Sequence, residues 1–129
     1  MTAQLFFPVQ ISSQTTPVSR GKHGGVRVVK DKFAFTDGTP VKFWGTNLSY
    51  TANAPDKETA EFTAARFAKY GINAVRMHKF SYPTGQSGIG DPNDSTKMDP
   101  KGLDRLDYFS AKLKERGVYF GWSHTYGFK

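Results

Sequence analysis

The stretch Gly71-Ile72-Asn73-Ala74-Val75-Arg76-Met77-His78-Lys79-Phe80 runs a helix stop straight into a short apolar strand that carries an arginine and a histidine. Side chains in a strand alternate between faces, so Ala74, Arg76 and His78 look one way while Val75 and Met77 look the other. One face is apolar and the other turns cationic toward the C-terminal end. That is the pattern of a strand packed on helices behind and facing an open site in front.

Upstream, Lys57 to Tyr70 reads as a helix with Asp56 as its N-cap and acids in its first turn. Ala60, Ala64, Phe67 and Ala68, with Phe62 or Ala65, recur at helical spacing and predict an apolar face of small residues. Gly71 stops the helix in the left-handed conformation that ends many helices. Before it, Val41 to Leu48 predicts a strand, with Phe43, Gly45 and Asn47 on one face and Trp44 and Thr46 on the other. The Asp37-Gly38 turn precedes that strand. Ahead of the turn, alternation at Val26 and Val28, then at Phe33 and Phe35, predicts a hairpin with its connection at Asp31-Lys32. Residues 1–25 show no period and read as an extended N-terminal arm.

Downstream, Ser81 to Met98 is a long polar segment with Gly85, Gly88 and Gly90. A loop of that length in a compact domain is functional or disordered. Asp99-Pro100 is an N-cap and first-turn pair that opens a second helix, with Leu103, Leu106, Phe109 and Leu113 on one face. Gly117 closes it. Val118 to His124 predicts a third strand, with Val118, Phe120, Trp122 and His124 on one face.

The order strand, helix, strand, helix, strand describes two consecutive βαβ units with a parallel sheet. The fold class expected is therefore α/β, a partial (β/α)8 barrel of about three parallel strands and two helices, preceded by a β-hairpin. Residues 26–129 form that barrel part. A closed eight-stranded barrel takes roughly 250 residues, and this chain has 129. It reads as a portion of a barrel.

Composition narrows the function. The chain has no cysteine, which excludes a disulfide framework, a thiolate metal site and a cysteine nucleophile within it. Its net charge is +7, with six basic against two acidic residues in 1–52 and twelve against nine in 53–129. That even spread argues against nucleic acid as the partner, because binders of nucleic acid concentrate charge in a stripe. No apolar run approaches a membrane span and no export signal is visible, so no membrane partner is expected; the compartment is not fixed by the sequence, and the chain reads as cytoplasmic only as it stands. Aromatic residues make up 15% of the chain, enough to line a surface that stacks on sugar-like ligands as well as to fill a core.

Ligands of parallel α/β folds sit at the C-terminal ends of the strands. The residues there are Asn47 and Tyr50, then Arg76 and His78, then Trp122, His124 and Tyr126. For Arg76 the competing account is an ion pair at a sheet end, and for His124 a hydrogen bond to a loop. His78, His124 and a loop aspartate have the ligand types of a metal site but lack paired short spacing, so no metal or cofactor is expected. Trp44 and Trp122 suit core packing, with Trp122 the better candidate for sugar stacking.

From Gly24 to Tyr126 the sequence resembles the N-terminal part of a cellulase-like glycoside hydrolase of the family 5 type, within the clan of β/α-barrel glycosidases. The resemblance rests on Asp37-Gly38-Thr39-Pro40-Val41-Lys42-Phe43-Trp44-Gly45-Thr46-Asn47-Leu48, on Gly71 to His78, and on Leu103 to Asp107 running through Arg116 to Phe120. It implies that Arg76 and His124 support the nucleophile and contact the sugar, and that the ligand is a β-linked polysaccharide. It also implies a shortfall. Retaining glycosidases need two carboxylates about 5–5.5 Å apart, and in this family they come from the fourth and seventh strands. The glutamates here, Glu58, Glu61 and Glu115, fall on the predicted helices, so no catalytic residue is assigned. The expected function is a glycoside hydrolase-like barrel portion acting on or binding β-glycan. The alternative is a non-catalytic carbohydrate- or anion-binding module that self-assembles. Either way, a sheet with open edges predicts a homo-oligomer.

Overall fold

A computed structural model describes residues 23–85 and 87–123; residues 1–22 of the N-terminal arm, with His124 and Tyr126, lie outside the described residues. The elements run β1 (Val26–Val29), β2 (Lys32–Phe35), β3 (Gly45–Ser49), a 3₁₀ turn (Tyr50–Asn53), α1 (Lys57–Lys69), β4 (Ala74–His78), α2 (Pro100–Glu115) and β5 (Tyr119–Ser123). Strands β3, β4 and β5 form a parallel sheet in that order, and β1 and β2 form a separate antiparallel hairpin. This is the mixed α/β architecture of a partial β/α barrel.

Local signals account for the helix limits. The Asp56 carboxylate accepts from Thr59 N at 2.8 Å and the Asp99 carboxylate from Gly102 N at 2.6 Å, each satisfying a first-turn donor that the helix leaves without a partner. At the other ends Gly71 (φ +74°) and Gly117 (φ +72°) take the left-handed conformation. There Ile72 N reaches Phe67 O and Val118 N reaches Leu113 O, both at 2.9 Å, which closes each helix on its last turn.

Both helices cover one face of the sheet. Val75 and Met77 of β4 are buried there against Ala60 and Ala64 of α1 and Leu106, Phe109 and Leu113 of α2. Each large side chain so enclosed contributes roughly 1.5–3 kcal/mol. The helices also meet each other: Tyr108 donates to the Glu61 carboxylate, and Lys57 Nζ lies 3.4 Å from Asp104.

The hairpin closes the other end of the structure. Phe35 of β2 packs against Tyr119 at 5.7 Å between ring centroids, Phe33 meets Phe43 at 6.0 Å, and Phe43 meets Tyr119 at 6.0 Å. Tyr119 begins β5 and is the register partner of Ala74. The aromatic cluster therefore sits at the N-terminal end of the sheet and leaves the C-terminal end open. Residues 23–25 belong to this group: Tyr119 Oη donates to Gly24 O at 3.0 Å, and His23 Nδ1 lies 2.6 Å from Asp37 Oδ2.

Five details depart from the sequence reading. The strand expected from Val41 starts at Gly45, because the Asn73 side chain serves the lead-in instead of a neighbouring strand. Its Oδ1 accepts from Trp44 N at 2.7 Å and its Nδ2 donates to Lys42 O at 2.9 Å. Trp44, expected to pack, is consequently 70% exposed. The hairpin turn falls at Lys30-Asp31, with Lys30 at φ +57°, one residue earlier than expected. Phe62, Ala68 and Leu103 lie outside the buried stripes, which follow Ala60-Ala64-Phe67 and Gly102-Leu106-Phe109-Leu113.

The long segment after β4 is the fifth. It folds back on itself, with Ile89 N donating to Phe80 O at 2.9 Å and Asp99 N to Ile89 O at 2.7 Å. Ile89 is thereby carried into the core. Gly102 makes room for it: a Cβ there would stand 2.6 Å from Ile89 Cβ. Asp91 and Asp94 accept from backbone N–H groups two or three residues on, as turn residues do.

Candidate functional site at the open end of the sheet

The face of the sheet away from the helices carries Gly45, Asn47 and Ser49 of β3, Ala74, Arg76 and His78 of β4, and Tyr119, Gly121 and Ser123 of β5. Parallel register sets the rows: Asn47 beside Arg76 beside Gly121, then Ser49 beside His78 beside Ser123. A depression of about 280 Å³ lies over the first row, lined by Gly45, Asn47, Ala74, Arg76 and Gly121 among others. Gly121 supplies no side chain there, which leaves the space beside Arg76. The Arg76 Nε donates to Ser123 Oγ at 2.8 Å, which ties the guanidinium across to the neighbouring strand β5.

His78 is the next residue up this face. Its imidazole is held below its ordinary value, first by desolvation and then by the positive charges of Arg76 and Lys79. At neutral pH it is the uncharged ring, which can both donate and accept. Its backbone carbonyl is anchored by Asn53, a residue with no exposed surface, whose Nδ2 donates to His78 O at 2.8 Å and Tyr50 O at 2.9 Å. One buried amide thus ties together the chain at the ends of β3 and β4.

Beyond those ends the backbone is strained in the same way on both strands. Tyr50 follows β3 with φ +56° and Lys79 follows β4 with φ +57°. Such a conformation costs a residue with a side chain on the order of 1–3 kcal/mol. It turns both side chains into one group with Tyr82. Lys79 Nζ donates to Tyr50 Oη at 3.2 Å and lies 5.3 Å from the Tyr50 ring and 6.0 Å from the Tyr82 ring. The two rings meet edge to face at 5.5 Å.

The structure brings Asn47, Arg76 and His78 to one face. It does not bring Trp122 there. Trp122 is the register partner of Met77, so alternation points it to the helix side, where its ring packs on Phe80 at 5.2 Å and Phe120 at 5.4 Å. Sequence reasoning passed over Ser123, Asn53, Lys79 and Tyr82. The alternation that put Arg76 on the open face could have found Ser123 once the register was known. Nothing local marks Asn53 as a link between the strands, since its second partner, the His78 carbonyl, is set by tertiary packing.

All eleven acidic residues of the chain lie within the described segments, and none is on β3, β4 or β5. Glu58, Glu61 and Glu115 are on helices, and Asp56 and Asp99 cap them. The open face of these three strands therefore carries none of the paired carboxylates that a retaining glycosidase needs.

A three-stranded parallel sheet with helices on one side and a polar open face on the other defines part of a β/α barrel. The chain is similar in structure to a glycoside hydrolase family 5 protein from Bacteroides vulgatus ATCC 8482, at 17% sequence identity and a TM-score of 0.57, over 81% of this chain and 25% of that one. It is similar also to a structure described as a glycoside hydrolase, at 19% identity and a TM-score of 0.59, over 81% of this chain and 26% of that one. The chain therefore shares the fold of part of these β/α barrels, and it spans about a quarter of the length of these structures. No protein-family model and no curated protein matches the sequence.

Proposed function

We propose that this chain contributes the first strands of a glycoside hydrolase-like barrel and binds β-linked polysaccharide on the open face of its sheet. The observation that carries this reading is the row Asn47, Arg76, Gly121 midway along the strands, beneath an open depression that reaches back to Gly45 and Ala74, with Arg76 held toward the C-terminal end by Ser123, in a fold shared with family 5 barrels, whose ligands sit at that end. Asn47 supplies an amide and Arg76 a fixed guanidinium, both suited to the hydroxyl groups of one sugar. His78, uncharged, extends the polar row toward the mouth.

The chain binds and does not hydrolyse by itself, since its acids are committed to helices, caps and turns. Purified protein is expected to match buffer in release of chromophore from aryl β-glycosides. In calorimetric titration with a panel of soluble β-linked oligosaccharides, Arg76→Ala is expected to weaken binding about tenfold, the scale of one charge-assisted hydrogen bond. Failure of the wild-type protein to bind any member of the panel would sink the proposal.

A further inference from the structure

Tyr50, Lys79 and Tyr82 form a group beyond the ends of β3 and β4, and the backbone is strained at both strand ends where the group forms. Strain of this kind persists where the surrounding structure over-determines it, and it gathers at ligand sites. Here Asn53 does the determining: it binds the carbonyls of Tyr50 and His78, one at each strand end.

The product of that arrangement is an ammonium set beside a pair of half-buried phenol rings that pack on each other, at the same end of the sheet as the Ser123 hydroxyl that holds Arg76. The Tyr50 hydroxyl accepts one of its three protons and so fixes the direction of Nζ. Two charged basic side chains, Arg76 and Lys79, fall within four residues at this strand end, on either side of the uncharged His78 in the sequence. The eleven acids lie off these strands. A mouth of this sign concentrates anions. The hydroxyl groups of a neutral glycan are served by amides and neutral imidazoles and do not require a lysine held against a pair of aromatic rings.

We propose that the open end of the sheet carries a subsite for an acidic sugar, in which Lys79 pairs with an anionic group on the ring and the packed pair Tyr50 and Tyr82 forms one wall beside it. The proposal rests on the carbohydrate-binding reading above and names the substrate class within it. The anion is a carboxylate or a sulfate ester at the sugar's exocyclic position, since either would meet an ammonium in the same way.

The test uses the full chain and three tetrasaccharides with one β-1,4-linked backbone: cellotetraose, its C6-carboxylate form and its C6-sulfate form. Hexaglutamate serves as an acidic ligand without sugar. The expected result is that one or both charged tetrasaccharides bind about tenfold tighter than cellotetraose, with hexaglutamate weaker than either. Whichever charged form binds more tightly identifies the anion. In Lys79→Met the ratio of charged to neutral affinity is expected to fall to about one, and in Lys79→Arg to stay near the wild-type ratio. Circular dichroism of each variant confirms that the comparison is between folded proteins.

Equal affinity for charged and neutral tetrasaccharides would overturn the acidic subsite and leave the carbohydrate reading standing. So would an undiminished ratio in folded Lys79→Met. Hexaglutamate binding as tightly as the charged sugars would reduce the effect to the net charge of the chain and also overturn it. Binding of no saccharide at all would overturn both.

Discussion

At the scale of single residues, the mouth depends on Asn53 more than on any side chain that a ligand would meet. Its amide hydrogens satisfy two backbone carbonyls at the ends of adjacent strands, and it has no exposed surface. Replacement by alanine leaves those carbonyls without their donor in a place water reaches poorly, at a cost of about 1–3 kcal/mol. Asn53→Ala is therefore expected to lower the urea midpoint with little change in slope, and to weaken saccharide binding although the residue touches no ligand. An unchanged midpoint would mean that the strand ends are held by something else. At the opposite end, Asp37 is governed by pH. The Thr39 N–H first and the His23 ring second hold its carboxyl at about 2, below its ordinary 3.8. A folded-state value below the unfolded one contributes stability that is complete above about pH 4 and is lost as pH falls toward about 2. Asp37→Asn is expected to flatten the dependence of stability on pH across that window, measured by chemical unfolding at a series of acid pH values. A slope equal to that of the wild type would remove Asp37 from the acid response.

At the scale of elements, the contact between the long loop and α2 is the place where propensity and packing oppose each other. Alanine is favoured over glycine within a helix by roughly 1 kcal/mol. At position 102 the added Cβ would meet Ile89 Cβ and Cγ2 at 2.6 Å, and those atoms lie at the root of a branched side chain that cannot swing aside. Overpacking of this kind costs roughly 1–3 kcal/mol. Gly102→Ala is expected to be destabilising by thermal melting, and a raised midpoint would show that the loop is not seated on the helix. The same contact explains what could be read in advance. Asp56, Asp99-Pro100, Gly71 and Gly117 act within a few residues of themselves, so the helices, their limits and the strand order were legible. Arg76 and Asn47 reached the open face by simple alternation. Trp44 and Ile89 were not legible, because one is released and the other enclosed by partners distant in sequence: Asn73 for the first, Gly102 for the second. Trp122 illustrates a third case, where position near a strand end suggested a site and the register with Met77 sends the ring to the core side. The His124 and Tyr126 expectations lie beyond the described residues.

At the scale of the whole molecule, the sheet is three strands wide, and among the described residues no strand lies beside the outer edge of β3 or of β5. Each edge presents a row of backbone donors and acceptors, and parallel sheets are ordinarily closed or covered. Beside β5 an apolar hollow of about 480 Å³, lined by Gly24, Gly25, Lys114, Gly117, Val118, Tyr119 and Phe120, adds side-chain surface to that edge. A second copy of the chain has both what β5 lacks, a strand of matching length in β3, and apolar side chains to fill the hollow. We propose on these grounds that the isolated chain self-associates through its sheet edges. Sedimentation velocity at micromolar concentration is expected to show dimers or larger species, with a sedimentation coefficient that falls on dilution. Dispersal should be insensitive to salt, because pairing of backbone groups and burial of apolar surface are not screened as surface charges are. A well-folded monomer across the concentration range would overturn the idea, and dissociation by salt alone would assign the contact to charged side chains instead of strand edges.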